Sequence, residues 1–246
     1  MPEQQLNIFE IRAERILKKY LKVKHRYEES FLPRPFFVEF TGSPDSGKST
    51  AINNLYHSFK KLGFRVFKPL EGAEAIQHIS RLTPLYNIRT ALYAITQMID
   101  LSHSHMYDLV LFDRCAFDGY YWMMYWFAKG KLTEEEMRHW QETFLSGFWV
   151  NNLDVAYFVV CDPAVSLDRN RMDTLSIRFG DTTNPTNMKI LVDRVCLAYN
   201  ELSPRFPQLK LVDTSTMEKR GMVQHFADDI LTTMERRAGD KLNTPQ

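Results

Sequence analysis

Apolar and polar positions alternate along this chain in two rhythms. Five short runs are rich in apolar, aromatic and β-branched residues: Phe36–Phe40, Phe64–Phe67, Asp108–Arg114, Val155–Cys161 and Leu209–Asp213. Each is the length of a buried strand and is bounded by Gly, Pro or an acid. Between them the apolar residues recur at three- and four-residue spacing, which predicts helices over 50–62, 86–105, 116–128, 131–146, 164–172 and 188–202, with a last helix ending near Arg237. Gly63 closes the first of these as a C-cap. Thr133 and Glu136 form a capping box at the start of another. Strands alternating with helices predict an α/β fold of three layers, a parallel sheet of about five strands with helices on both faces and right-handed crossovers.

Residues 5–30 precede this pattern. Ile8, Ile11, Leu17 and Leu21 make one apolar stripe, while Lys18, Lys19, Lys22, Lys24 and Arg26 crowd the opposite side. This predicts an amphipathic helix in an N-terminal extension, residues 1–32, ended by Pro33 and Pro35. A helix packed outside the domain fits the stripe, and so does a partner- or nucleic-acid-binding arm. Residues 33–237 form the main domain. The polar stretch Asp173–Asn187, with Arg178, Gly180 and Pro185, resembles a closing flap, and the lid is expected over about 169–187. Residues 238–246 read as a flexible tail.

The chemistry begins where the first strand meets the first helix. Gly42-Ser43-Pro44-Asp45-Ser46-Gly47-Lys48-Ser49-Thr50 has two glycines separated by four residues and followed by Lys and Ser. That is the phosphate-loop pattern, in its required strand-before, helix-after context. Backbone N–H groups close around phosphate oxygens, which a Cβ at Gly42 or Gly47 would obstruct, and the helix N-terminus adds partial positive charge. Lys48 is expected on the β- and γ-phosphates, and the Ser49 hydroxyl on Mg²⁺.

A second informative place is the end of the third strand. Asp113 closes an apolar run, as a carboxylate that helps hold Mg²⁺ opposite a phosphate loop does, and Arg114 beside it can grip a phosphate with two N–H groups. Glu71 and Glu74 follow the second strand with Lys68, at the carboxyl end of a parallel sheet, where ligands gather. Arg169, Arg171 and Arg178 are placed to stabilise charge when the flap closes, although solvated helix arginines would look the same. Residues Tyr120–Phe127 are densely aromatic, which suits a pocket that stacks a planar ring and a buried helix equally.

Composition bounds the rest. The 246 residues are 44% hydrophobic and 13% aromatic, enough for a substantial core. Lys and Arg number 31 against 30 Asp and Glu, which argues against a dominant polyanion-binding surface. Cys115, Cys161 and Cys196 have neither zinc-site nor disulfide-framework spacing; the first two end apolar runs as small buried thiols. Met1–Gln5 lack the apolar core of a signal peptide and no run reaches membrane-spanning length, so no membrane association and a cytoplasmic location are expected.

With the phosphate loop, Asp113-Arg114, Asp162-Pro163 through Arg171, and Tyr199-Asn200-Glu201-Leu202 to Ser215 in this order, the chain resembles the thymidylate kinase and deoxynucleoside kinase group of phosphate-loop kinases over roughly residues 36–235. The resemblance implies that Arg114 contacts the transferring or acceptor phosphate and that Glu71 is a base or substrate ligand. It also implies that Thr214 and Ser215, after the fifth strand, lie against adenine. Cys115 stands where such kinases carry tyrosine or histidine, and Lys68-Pro69-Leu70-Glu71-Gly72 stands where thymidylate kinases carry Arg-Glu-Pro-Gly-Gly. The expected activity is ATP- and Mg²⁺-dependent phosphoryl transfer to a nucleotide, a nucleoside or a related acceptor. Lys48, Arg114, Glu71, Asp113, Arg169 and Arg171 are the expected catalytic groups, with Asp45 a weaker candidate base. Gly42, Asp45, Ser46, Gly47, Lys48, Ser49, Thr50, Arg178, Thr214 and Ser215 would bind the nucleotide, and Ser49 and Asp113 the metal. Two other expectations stay open: an NTP-hydrolysing switch, or a polynucleotide kinase guided by the basic side of residues 18–26. A homodimer is compatible with either.

Overall fold

Strands that are apolar on both sides need cover on both sides, which only a sheet sandwiched between helices supplies. The computed structural model describes residues 8–18, 35–104, 106–173 and 184–242, and it has that form. Its strands are β1 (Phe36–Gly42), β2 (Val66–Phe67), β3 (Leu109–Asp113), β4 (Leu153–Val160) and β5 (Leu209–Asp213). All pair in parallel, in the order β2-β3-β1-β4-β5. The helices are α1 (8–18), α2 (Lys48–Lys61), α3 (Gly72–Ala75), α4 (Pro84–Ser102), α5 (Ala116–Ala128), α6 (Glu134–Phe144), α7 (Gly147–Val150), α8 (Pro163–Asp173), α9 (Pro185–Leu202) and α10 (Lys219–Leu242). Among the described residues, no helix is long and apolar enough to cross a membrane.

The two-residue period of the central strands divides the core. Phe37, Val110, Phe112, Ala156 and Phe158 face α4, α5 and α9. Phe36, Val38, Phe40, Leu109, Leu111, Val155, Tyr157 and Val159 face α1, α2 and α10. Helix α5 settles the question its aromatic residues raise: every residue from Ala116 to Trp126 is buried, because α4, α6, α9 and β1 enclose it. Strand β1 sits at the centre of the sheet. Phe40 is in register with Asp113 on one side and Tyr157 on the other, so the carboxyl ends of three strands open together beside the phosphate loop.

Several boundaries differ from expectation. Helix α1 turns Ala13 and Ile16 inward, while Ile8 and Ile11 are 59% and 57% exposed. Arg12 and Arg15 fix this rotation through Asp228 and Glu235 on α10. The rest of the expected extension, including most of its basic side, lies outside the described residues. Helix α9 starts at Pro185 rather than Met188, because the Asn184 side chain accepts from the Asn187 N–H at 2.9 Å and Pro185 suits the first helical position. Helix α10 runs to Leu242, so most of the expected tail is helical. Arg237 pairs with Asp154 near its end and braces the last turns. The middle of the expected flap, 174–183, lies outside the described residues, and with it Arg178. The capping box at Thr133 and Glu136 forms as its sequence predicts.

Candidate active site

The loop between β1 and α2 takes its shape from two glycines. Gly42 has φ +130°, and a Cβ there would meet the Val159 carbonyl oxygen at 2.0 Å. Gly47 has φ +89° and packs on Met222, whose sulfur would lie 2.9 Å from an added Cβ. L-residues avoid both backbone conformations, so the spacing read from the sequence is a steric requirement of this turn. Inside the loop the Lys48 ammonium donates to the Ser43 carbonyl at 2.6 Å and to Ser46 Oγ at 3.3 Å. Burial pushes the Lys48 pKa down to about 8, and the neighbouring Arg114 adds to the shift. Ser43 Oγ is buried without a partner among the described residues, an acceptor and donor left for a ligand.

Sheet register brings the second motif to the first. The Ser49 hydroxyl donates to Asp113 Oδ2 at 2.6 Å, joining the start of α2 to the end of β3. Arg114 follows with φ +71°, an uncommon conformation for a residue with a side chain, and its N–H donates to the Phe40 carbonyl at 2.9 Å. Its guanidinium donates from Nε to Glu71 Oε1 at 3.0 Å and from Nη1 toward Asp118 Oδ1 at 3.4 Å. Burial works against the Arg114 charge, but Asp118, Tyr121, Glu71 and Asp113 outweigh it and hold its pKa well above the ordinary value. Burial raises the Glu71 carboxyl, and the Arg114 charge offsets only part of that rise.

A cavity of about 480 Å³ opens over these groups. Asp45, Gly47, Lys48, Ser49, Thr50, Glu71, Arg114 and Arg169 line it, and Met172, Met217, Lys219 and Met222 close its other side. Most of the residues singled out in the sequence therefore meet in one place. Ser46 is buried beneath the loop, its hydroxyl donating to the Ser43 carbonyl. Asp45 has φ 52° and accepts from Asn170 on α8 at 3.1 Å, which ties that helix to the loop.

Four expected residues sit differently. Arg169 and Arg171 lie on helix α8, as the periodicity over 164–172 predicts, and their contacts are within the fold. Arg169 reaches the Thr214 carbonyl at 2.8 Å, while Arg171 is exposed beside Asp168 at 3.5 Å. Thr214 is fully buried, and its hydroxyl donates to the Ser46 carbonyl at 2.8 Å, so it braces the phosphate loop from below. Ser215 closes a turn with Asp213 and accepts from the Asp162 N–H. Lys68 reaches Asn53, and Glu74 is exposed.

Glu39, Thr41 and Asp118 were not among the expected site residues, and Tyr121 stood out only as part of the aromatic run Tyr120–Phe127. Glu39 is fully buried in β1 and accepts from the N–H groups of Cys115, Phe117 and Asp118 at 2.9, 3.2 and 2.9 Å, capping α5 from another strand. Its burial lifts the pKa to about 8 against those hydrogen bonds. Thr41 Oγ1 donates to Asp118 Oδ1 at 2.8 Å, and Tyr121 donates to the Gly42 carbonyl at 3.0 Å. Two signals were legible: an acid inside the aromatic run of β1, and an acid four residues after Arg114 on a helix, where side chains meet.

Neither a protein-family model nor a curated protein sequence matches the chain. Among solved structures it is similar to deoxyadenosine kinase from M. mycoides with the products dCMP and a flexible dCDP bound, at a TM-score of 0.57 and 14% identity. It is similar also to that enzyme with bound dCTP, at a TM-score of 0.54 and 14% identity. Each likeness covers 80% of this chain and 100% of the other. At that identity the likeness is one of fold: five parallel strands between two layers of helices.

Proposed function

We propose that this protein is an ATP- and Mg²⁺-dependent kinase that passes the γ-phosphoryl group to a nucleoside or nucleotide. One observation carries the proposal: the Glu71–Arg114 pair and the phosphate loop line the same cavity, so a carboxylate and a guanidinium stand where the terminal phosphate of a loop-bound triphosphate would point. The fold likeness to a deoxyadenosine kinase supports a nucleoside as the acceptor.

The triphosphate would bind to the loop N–H groups and the start of α2, drawing the Lys48 ammonium off the Ser43 carbonyl. The Ser49 hydroxyl and Asp113 carboxylate are hard oxygen donors that fit Mg²⁺. Among the described residues no cluster of three or more His, Cys, Asp or Glu makes a metal site of its own, which suits an ion completed by phosphates and water. Bound there, Mg²⁺ would offset charge on the β- and γ-phosphates.

Glu71 takes the proton of the acceptor hydroxyl as that oxygen bonds to the γ-phosphorus. The bond from phosphorus to the bridging oxygen breaks, and its electron pair leaves with the nucleoside diphosphate. The raised Glu71 pKa makes it a stronger base than a solvated carboxylate. Arg114 neutralises the phosphoryl oxygens in flight. Tyr86 of α4 lies within the field of Arg114, Glu71 and Asp118 and has a buried hydroxyl without a partner among the described residues, which an acceptor would satisfy.

Labelled ATP incubated with nucleosides, nucleoside monophosphates and oligonucleotides tests this directly. The expected result is label on a nucleoside or nucleotide that is lost in Glu71→Gln. Label appearing only as free phosphate with every acceptor would overturn the kinase assignment.

A further inference from the structure

Asp118 is a buried carboxylate whose charge is met from outside its own helix. It lies in the first turn of α5, is 3% exposed, and is fixed at both ends: its N–H donates to Glu39 and its Oδ1 accepts from Thr41. A carboxylate so enclosed is costly unless it meets a cation, and the cation it pairs with is Arg114, with Lys48 acting from farther off. The Arg114 guanidinium therefore has two carboxylates on two edges, Glu71 at Nε and Asp118 at Nη1.

This duplication has a chemical use. The reaction proposed above requires Glu71 to turn from Arg114 to an acceptor hydroxyl. An arginine held by one carboxylate would then lose its anchor, or would keep Glu71 paired and make it a poor base. We propose that Asp118 is a positioning residue that keeps Arg114 aimed at the phosphate while Glu71 moves to the acceptor; the assignment rests on the phosphotransfer reading above. Thr41 and Glu39 set the position of Asp118, so β1 aims Arg114 from behind.

The pair also sets how Glu71 titrates. Arg114 and Lys48 face Glu71 as cations, and Asp113 and Asp118 face it as anions. Arg114, Lys48, Thr41 and Tyr121 face Asp118, and the Glu39 carboxylate lies beneath it. Neutralising Asp118 leaves the two cations less opposed around Glu71, so the Glu71 carboxyl then loses its proton at lower pH.

Asp118→Asn removes the charge while keeping an oxygen for Thr41. In that variant kcat for transfer should fall roughly ten- to a hundredfold with KM for ATP little changed. The acid limb of kcat should move down by about half a pH unit or more, and the ¹³C titration of the Glu71 carboxyl, assigned with Glu71→Gln, should move with it. A purely structural role predicts wild-type kcat and an unmoved acid limb in this isosteric variant, and that result overturns the proposal. If Asp118→Asn does not fold, Thr41→Val takes its place, with the same directions expected and unchanged kcat and titration again decisive against. If the wild type phosphorylates no acceptor at all, the kinase reading falls separately. The ¹³C titration then decides Asp118: a downward move keeps it as the second anchor of Arg114, and an unmoved one removes it.

Discussion

Glu39→Gln tests how β1 holds the start of α5, and its size can be worked from the contacts. Two of the three N–H groups that Glu39 accepts, those of Cys115 and Asp118, converge on Oε1, and the third, from Phe117, goes to Oε2. A glutamine can keep its carbonyl in the first place, but its amide then turns N–H groups toward the Phe117 N–H. One buried donor is left unpaired, at a cost of about 1–3 kcal/mol. The wild type carries a different cost. Burial holds the folded-state pKa of Glu39 at about 8, against 4.5 for a solvated glutamate in the unfolded chain. Between these values the folded protein retains a proton that the unfolded chain has released, so stability falls as pH rises, with a slope of about 1.4 kcal/mol per unit and a total of roughly 5 kcal/mol. Glutamine does not titrate. The wild type should therefore be the more stable protein near pH 5, and the difference should shrink or reverse by pH 8. Urea denaturation of both proteins at pH 5, 6, 7 and 8 measures this, since the other carboxylates are common to both. Parallel stability curves across that range would refute the argument that Glu39 folds protonated.

The remaining predictions concern the loop and a control. Lys48→Ala should reduce ATP turnover by about a hundredfold or more without unfolding the protein, read by steady-state kinetics and circular dichroism. Because Lys48 in the ligand-free protein loses its proton near pH 8, calorimetric ATP affinity should weaken as pH rises through that value. Gly42→Ala should destabilise by about 3 kcal/mol or more, or abolish folding, because its Cβ would overlap the Val159 carbonyl at a backbone angle L-residues avoid. Thr133→Ala, on an exposed helix start away from the cavity, should cost about 1 kcal/mol in thermal or chemical unfolding and leave turnover unchanged.

The sequence by itself determined the elements and the first half of the site. Phosphate-loop spacing is legible because two glycines are demanded by local backbone angles, and neighbours in the chain supply the strand and the helix that frame them. The same locality made the capping box at Thr133 readable and the five strands countable. Asp113 and Arg114 stood out because an acid ends an apolar run. Rotation of α1 was not legible, since a stripe containing Ile8 and Ile11 looks as apolar as one containing Ala13 and Ile16. Ion pairs from Arg12 and Arg15 to α10, more than two hundred residues away, choose between them.

Tertiary structure alone decided which groups meet. Placing β1 between β3 and β4 puts Asp113 against Ser49, and no local spacing carries that order. It also turned Thr214 inward under the phosphate loop and set Arg169 against its carbonyl, although the resemblance to nucleotide kinases implied a nucleotide contact for Thr214 and the flap pattern a moving arginine. The clearest case is the pair of acids the sequence hid, Glu39 and Asp118. Each looks like an isolated charge in an apolar segment until β1 and α5 pack together. Only then does one acid cap a helix 76 to 79 positions along the chain, and the other face Arg114. Local backbone preferences act between near neighbours and can be read in a line, whereas the partner of a buried charge is fixed by which surfaces the core brings together.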